Sequence, residues 1–359
     1  MQGDNANPPH TPASTASALA EEPDPDASEL ILKTHFQCTD PGRLADGRFG
    51  NVFQVKFRGV ACAVKAQHAG RPYDFDRAAF EADTLANLNR QPQDHVVQLM
   101  HREIAQKIMF LFMEQASRSL KDLLSLTPID ADIDLRVAAL QLLRGIAYIH
   151  DWRVVHRDIK PHNILHFDNG RLVLADFGNA RELSYSANNN GKRKRAPTPE
   201  ESPQAAQHAG AGETSVEKTD CSPTRGTLPY CPPEVLKGTA ASYAHDLWSF
   251  GCVLLSLAMG KSYYFWSEDL LHVKFEKQLT GMMKLLEDRC FSEKGRRDIE
   301  ESLNGKMSDA VKALMFAFLQ RDPEQRLGAA SAMHDAAFDT LRALPLNALL
   351  AQTDQLRSC

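Results

Sequence analysis

The chain has 359 residues, 43% hydrophobic and 24% charged, with a formal net charge of −5. Ordinary globular composition with this apolar content supports a large core, a length-based prior suggests about two or three compact units, and the mild acidity gives no overall pull toward nucleic acid or anionic membrane. Seven scattered cysteines, odd in number and without a Cys-x-x-Cys pair, argue against a zinc site or a disulfide framework and for a reducing, intracellular compartment.

Residues 1–29 are rich in Pro, Ala, Ser, Asp and Glu and poor in large apolar side chains, which predicts a disordered tail. No basic-then-apolar leader opens the chain. The best apolar run, Cys252 to Met259, is far too short to cross a bilayer. From Leu30 the pattern reads as strand. Leu44 to Val52 carries Gly47 and Gly50, which suits a hairpin turn. Val60-Ala61-Cys62-Ala63-Val64-Lys65 alternates with period two, placing Ala61, Ala63 and Lys65 on one face. Phe75 to Asn89 contains no Pro or Gly and predicts a helix with Glu81, Leu85 and Leu88 on one face. Asp83 points elsewhere and reads as solvated. Two strand-like runs follow, Val96 to Met100 and Lys107 to Met113, the second leading into Glu114-Gln115-Ala116. Ser119 to Leu126 and Leu135 to His150 read as helices, the latter with an apolar stripe through Leu140, Leu143, Ile146, Ala147 and His150.

Next comes His156-Arg157-Asp158-Ile159-Lys160-Pro161-His162-Asn163, with Asp176-Phe177-Gly178 downstream. Two apolar runs, Asn163 to Phe167 and Arg171 to Ala175, flank Asp168-Asn169-Gly170, a strong hairpin-turn signal. Folding about that turn sets Leu165 opposite Val173 and brings Asn163 beside Ala175 and Asp176. An amide and a carboxylate then meet at one open end of the hairpin, a donor set that suits Mg²⁺. Asp158 lies just upstream, where it could accept a proton from an attacking hydroxyl. Lys160 can neutralise charge on a transferring phosphoryl group.

On these residues the chain resembles the eukaryotic-type protein kinase family, serine/threonine branch. The resemblance implies an α+β, two-lobed fold: a small β-rich N-lobe over 30–113 with one αC helix, and a larger, mainly helical C-lobe with the hinge over 114–343. A tail follows over 344–359, with a last short helix near Pro345. The resemblance also implies ATP and Mg²⁺ as cofactors. Asp158, Lys160, Asn163, Lys65 and Glu81 become the catalytic set, with Glu81 as partner of Lys65. Asn163 and Asp176 become the metal ligands. Nucleotide contacts fall to Ala45, Gly47, Gly50, Val52, Ala63, Lys65, Met113, Glu114, Ala116, Leu165 and Asp176, with Met113 as gatekeeper. Ala45 stands where the family has its first glycine.

Residues 184–221 break the pattern and read as a disordered insertion in the activation segment. Lys192 to Arg195 is a nuclear-localisation patch, a dock for an acidic partner or a solvated basic run, and the expected location is nucleus or cytoplasm. Gly226-Thr227-Leu228-Pro229-Tyr230-Cys231-Pro232-Pro233-Glu234 resembles the family's Gly-Thr…Ala-Pro-Glu segment, with Pro232 in place of Ala. Thr227 and Lys160 follow the Ser/Thr-specific pattern. Tyr243 to Met259 reads as a buried helix, and the resemblance implies that its Asp246 braces the catalytic loop and that Arg326 pairs with Glu234. Ala313 to Leu319 is a further apolar helix. Arg157 would receive an activating phosphate on Thr219, Ser222 or Thr224. The implied partners are a protein Ser/Thr substrate, with a regulatory partner left open, and neither nucleic acid nor membrane. A pseudokinase scaffold is the alternative function, favoured only by Ala45 and Pro232. A small-molecule kinase ranks below it, because that class lacks the Gly-Thr…Pro-Pro-Glu segment.

Overall fold

The computed structural model describes residues 25–47, 50–68, 72–126, 132–183, 227–240, 242–261 and 275–353. A five-stranded antiparallel sheet, in the order β1-β2-β3-β5-β4, forms the N-terminal lobe. Its strands are β1 (Thr39–Gly47), β2 (Gly50–Phe57), β3 (Val60–His68), β4 (Leu99–Ala105) and β5 (Ile108–Glu114). Helix α2 (Pro72–Leu88) joins β3 to β4. The alternation read from the sequence holds in β3: Cys62 and Val64 are buried on one face, and Ala63 and Lys65 on the other are half-buried.

The segment from Leu30, expected as strand, is a helix. It is α1 (Pro25–Thr34), which also places the first described residues inside the stretch expected to be disordered. Three apolar residues in a row, Leu30-Ile31-Leu32, fit either period, so such a run does not distinguish strand from helix. Packing decides between them. Ile31 and Leu32 bury with Phe36 against Phe53, Val55, Phe57, Val64, Phe110 and Phe112, while Leu30 stays exposed. A Glu29–Lys33 pair at 2.6 Å spans one turn of the helix. The sheet therefore has α1 on one face and α2 on the other. Strand β5 serves both cores, sending Ile108, Phe110 and Phe112 toward α1 and Met109 and Leu111 toward α2.

The strand expected at Val96–Met100 begins only at Leu99 and runs through polar residues to Ala105; Val96 makes a single parallel bridge to Leu174 instead. Strand β4 is the sheet edge, so it can alternate exposed Met100, Arg102 and Ile104 with inward residues.

The C-terminal lobe is built on α4 (Asp132–Asp151) and α6 (Tyr243–Met259), following β6 (Arg118–Ser119) and the short α3 (Leu120–Leu126). The apolar stripe expected on α4 understates its burial, which extends nearly all round the helix. In α6, Trp248, Phe250 and Cys252 to Leu257 are buried, and Gly260 closes the helix in the left-handed region. Strands β7 (Val154–Val155), β8 (Ile164–His166), β9 (Leu172–Leu174) and β10 (Arg181–Glu182) form two small sheets, β6-β8-β9 and β7-β10. Helices α5 (Pro233–Leu236), α7 (Phe275–Leu285), α8 (Glu293–Ser302), α9 (Asp309–Phe318), α10 (Ala329–Ala332) and α11 (Leu346–Leu350) complete the lobe. Pro345 caps α11, as expected for the last short helix. Among the described residues no helix is long and apolar enough to cross a membrane.

Candidate active site

The β8–β9 hairpin has the register that its turn dictates. Leu165 lies opposite Val173, Gly170 sits in the left-handed region, and the Ala175 amide donates to the Asn163 carbonyl at 2.9 Å. Asn163 and Asp176 thus share one end of the hairpin. Asp176 adopts a left-handed backbone, φ 63°, at the head of a 3₁₀ turn Phe177–Asn179.

Asp158 is the most densely bonded carboxylate of the site. Its Oδ2 accepts from Lys160 Nζ at 2.9 Å, Asn163 Nδ2 at 3.1 Å and Asn179 Nδ2 at 3.3 Å. Its Oδ1 accepts from the Thr227 amide and hydroxyl, both at 3.0 Å. Lys160 also donates to the Thr227 hydroxyl at 2.7 Å, closing a ring of lysine, threonine and aspartate. The loop that carries Asp158 is pinned from below by Asp246 of α6. This buried carboxylate accepts from the His156 amide at 2.8 Å and the Arg157 amide at 2.9 Å, and pairs with His150 Nε2 at 2.9 Å. Burial alone would push Asp246 up, but the bond to His150 and the surrounding histidines hold it below the ordinary carboxylate value.

On the opposite wall, Lys65 of β3 reaches both oxygens of Glu81 at 2.8 and 2.9 Å and Asp176 Oδ1 at 2.6 Å. Burial opposes the lysine's charge, yet the two carboxylates raise it above an ordinary lysine. In turn, burial would raise Asp176, but the Lys65 ammonium outweighs it and holds that carboxyl well below the usual range. Asp83, the other acid of α2, is exposed and pairs with Arg102, as its phase on the helix predicts.

Val52 pairs in register with Ala45 on one side and Lys65 on the other, and Ala63 pairs with Met113. Gly47 and Gly50 face each other across the β1–β2 turn. Gly50 is required where it stands: its φ is 151°, and a Cβ there would lie 2.1 Å from the Ala66 carbonyl oxygen. Ala45 follows an irregularity in β1, between Arg43 and Ala45. At the end of β5 the Glu114 amide donates to the Gln98 carbonyl at 3.0 Å, so that amide is already committed within the protein. The Glu114 side chain bonds Arg171, whose guanidinium lies over the Phe167 ring, bracing the interlobe link against the β8–β9 hairpin. Ala116 and Leu165 are half-buried near this link, where the Ser117 amide donates to His166 O at 3.0 Å. Arg326 pairs with Glu234 through two bonds of 2.6 and 2.7 Å, as expected.

Three residues that the sequence reading missed complete the geometry. Gln67 donates to Glu81 Oε2 at 2.9 Å; its position two residues after Lys65, on the same strand face, was the available signal. Arg77, one helical turn before Glu81, donates to the Gly178 carbonyl at 2.8 Å and to Asn179 Oδ1 at 3.2 Å. Asn179 itself carries no local signal. The basic run Lys192–Arg195, the insert over 184–221 and the candidate phosphorylation positions Thr219, Ser222 and Thr224 lie outside the described residues.

The donor set fits a hard cation. Asn163 Nδ2 is committed to Asp158, which leaves its amide oxygen to offer. Asp176 keeps its charge and has one oxygen beyond Lys65, on a side chain 42% exposed. The protein kinase domain family matches residues 39–338. The chain is similar to serine/threonine-protein kinase SSK22 of Saccharomyces cerevisiae, 34% identical over 46% of this chain and 12% of that protein. It is also similar to serine/threonine-protein kinase AFC1 of Arabidopsis thaliana, 29% identical over 67% of this chain and 51% of that protein. A third relative is cyclin-dependent kinase 2 of Caenorhabditis elegans, 29% identical over 61% of this chain and 53% of that protein. The match thus spans less than two thirds of the length of each of these relatives. With the family match across most of its length and the two-lobed architecture around Asp158, the chain belongs to the protein kinase family.

Proposed function

We propose that the protein is an ATP-dependent serine/threonine kinase that transfers the γ-phosphoryl group of Mg-ATP to protein hydroxyls in a signalling or cell-cycle role. The ring of Asp158, Lys160 and Thr227 facing the Lys65–Glu81–Asp176 cluster carries this reading. Asp158 has a carboxylate poised to take the proton of an incoming Ser or Thr hydroxyl. Lys160, donating to that carboxylate, supplies positive charge beside the acceptor. Glu81 holds Lys65 in reach of the nucleotide's α- and β-phosphates. Asn163 and Asp176 would hold Mg²⁺, which when bound would supply positive charge against that of the phosphates. The similarity to serine/threonine-protein kinases supports the same class of acceptor.

The test is transfer of labelled phosphate from ATP to a basic acceptor protein by the full chain. Asp158→Asn is expected to lower turnover by roughly 10²–10⁴-fold, the range of a lost general base, while the melting curve stays in place. Lys65→Met should likewise abolish transfer. Wild-type protein that binds Mg-ATP yet phosphorylates neither itself nor any acceptor would replace this reading with a nucleotide-binding scaffold.

A further inference from the structure

We propose that Asn179 is a positioning residue for Asp158, and that Arg77 sets the direction of its amide. The placement of α2 would then be felt at the acceptor-side carboxylate by a route separate from the Lys65–Glu81 pair. This deepens the kinase reading and rests on it.

The observations form one continuous path. Arg77 and Glu81 are one turn apart on α2, so their side chains leave the same face. Glu81 goes to Lys65. Arg77 goes the other way, to the Gly178 carbonyl and Asn179 Oδ1. Asn179 Nδ2 then donates to Asp158 Oδ2. Close approach of α2 makes the path possible. A Cβ on Gly178 would lie 2.9 Å from Glu81 Oε2, 3.2 Å from Arg77 Nη2 and 3.3 Å from Asp176 Oδ1, so a larger residue would have to displace these side-chain tips.

An asparagine amide has one accepting end and one donating end. With a guanidinium at Oδ1, the nitrogen must point away from Arg77, and the group that it meets is a carboxylate. A reversed amide would set N–H against cation and C=O against anion. The cation on α2 therefore decides which end Asp158 receives. The other described donors to Asp158 come from its own loop, Lys160 and Asn163, or from Thr227. Among them Asn179 alone is held by a side chain of α2. Outward movement of α2 would withdraw Arg77 and free the amide to rotate, loosening Asp158 even where Lys65 keeps a partner in Asp176.

The test uses the full chain, measuring phosphate transfer to a basic acceptor protein together with Mg-ATP affinity. Asn179→Leu should lower kcat about tenfold and leave the Mg-ATP KM and Kd within about twofold, because its effect lies on the acceptor side. Arg77→Met should give a similar fall, and the double variant should be less than about twofold worse than either, as for two residues acting through one path. Asn179→Asp separates positioning from tethering. It strengthens the tie to Arg77 but cannot donate to Asp158 and repels it, so kcat should fall at least as far as in Asn179→Leu. Asp83→Ala, on the same helix but facing Arg102, should stay within about twofold of wild type. Normal kcat in Asn179→Asp, or multiplying losses in the double variant, would overturn the proposal. Wild type without any transfer would sink the kinase reading instead. Hydrogen exchange over residues 156–163 then reads the path directly. It should be about tenfold faster in Asn179→Leu and Arg77→Met with α6 unchanged, and equal exchange would overturn the path.

Discussion

Arg326→Met tests how the C-terminal lobe holds the segment that carries Thr227. The Arg326 side chain is 0% exposed and that of Glu234 is 12% exposed, and they meet through two bonds of 2.6 and 2.7 Å. The guanidinium also donates to the carbonyls of Gln320 and Ala244, each at 3.0 Å, and lies over the Trp248 ring. Methionine keeps much of the stem's packing but leaves the carboxylate without its cation. Removing one partner of a buried pair costs about 3–5 kcal/mol, because the survivor's charge is left uncompensated. Unfolding entropy of about 2.1 cal/mol/K per residue, over roughly 300 residues, converts this to a fall in Tm of about 5–8 °C. Thermal unfolding followed by circular dichroism reads it. Lys33→Ala removes an exposed pair, 52% and 40% exposed, and should move Tm by no more than about 1–2 °C, since such pairs contribute at most about 1 kcal/mol. A variant at Arg326 that melts within a degree of wild type would refute the assignment of this pair as a structural clamp.

Asp176→Asn should weaken nucleotide binding far more with Mg²⁺ present than without it, read by titration of ATP in both conditions; equal loss would contradict its role as a metal ligand. Buried His95 predicts acid sensitivity. Burial lowers its pKa to about 4, against 6.5 in the unfolded chain, so below pH 6.5 the unfolded state takes up the proton first. Its share of stability is complete above that pH and is lost as pH falls toward 4, by up to about 3 kcal/mol. His95→Gln should flatten the Tm–pH curve over this window, and an unchanged slope would assign the acid sensitivity to other groups.

What the sequence reveals follows the range of the forces involved. The meeting of Asn163 and Asp176 was legible because a turn signal and a period of two fix the register of a short hairpin. Glu81 was legible from helical phase, with Asp83 correctly excluded. The bonds from Asp246 to the catalytic loop and from Arg326 to Glu234 cross about ninety residues, and no local pattern predicts them; the family resemblance did. Helix α1 was misread because its apolar triplet fits either period, and the sheet face that selects the helix is assembled from distant strands. Gln67 and Arg77 had phase signals of the kind that revealed Glu81. Asn179 acquires its role only when the 3₁₀ turn after Asp176 brings it between α2 and the catalytic loop.

The chain on either side of residues 184–226 is fastened to the catalytic loop's own supports. On the near side, β10 pairs with β7, and Arg153 and Leu183 exchange two bonds of 2.9 and 3.0 Å. On the far side, Thr227 bonds Asp158 and Lys160, and Ser249 of α6 donates to the Tyr230 carbonyl at 2.8 Å. Asp246 of that same helix holds the amides of His156 and Arg157. Both flanks thus meet elements that border or brace the loop carrying Asp158. The geometry around Asp158 is tied to described residues on both sides, Arg181 to Leu183 before the stretch and Thr227 to Tyr230 after it. The far flank closes the ring of Asp158, Lys160 and Thr227, and so the support of the segment that carries Thr227 is part of the support of Asp158 itself.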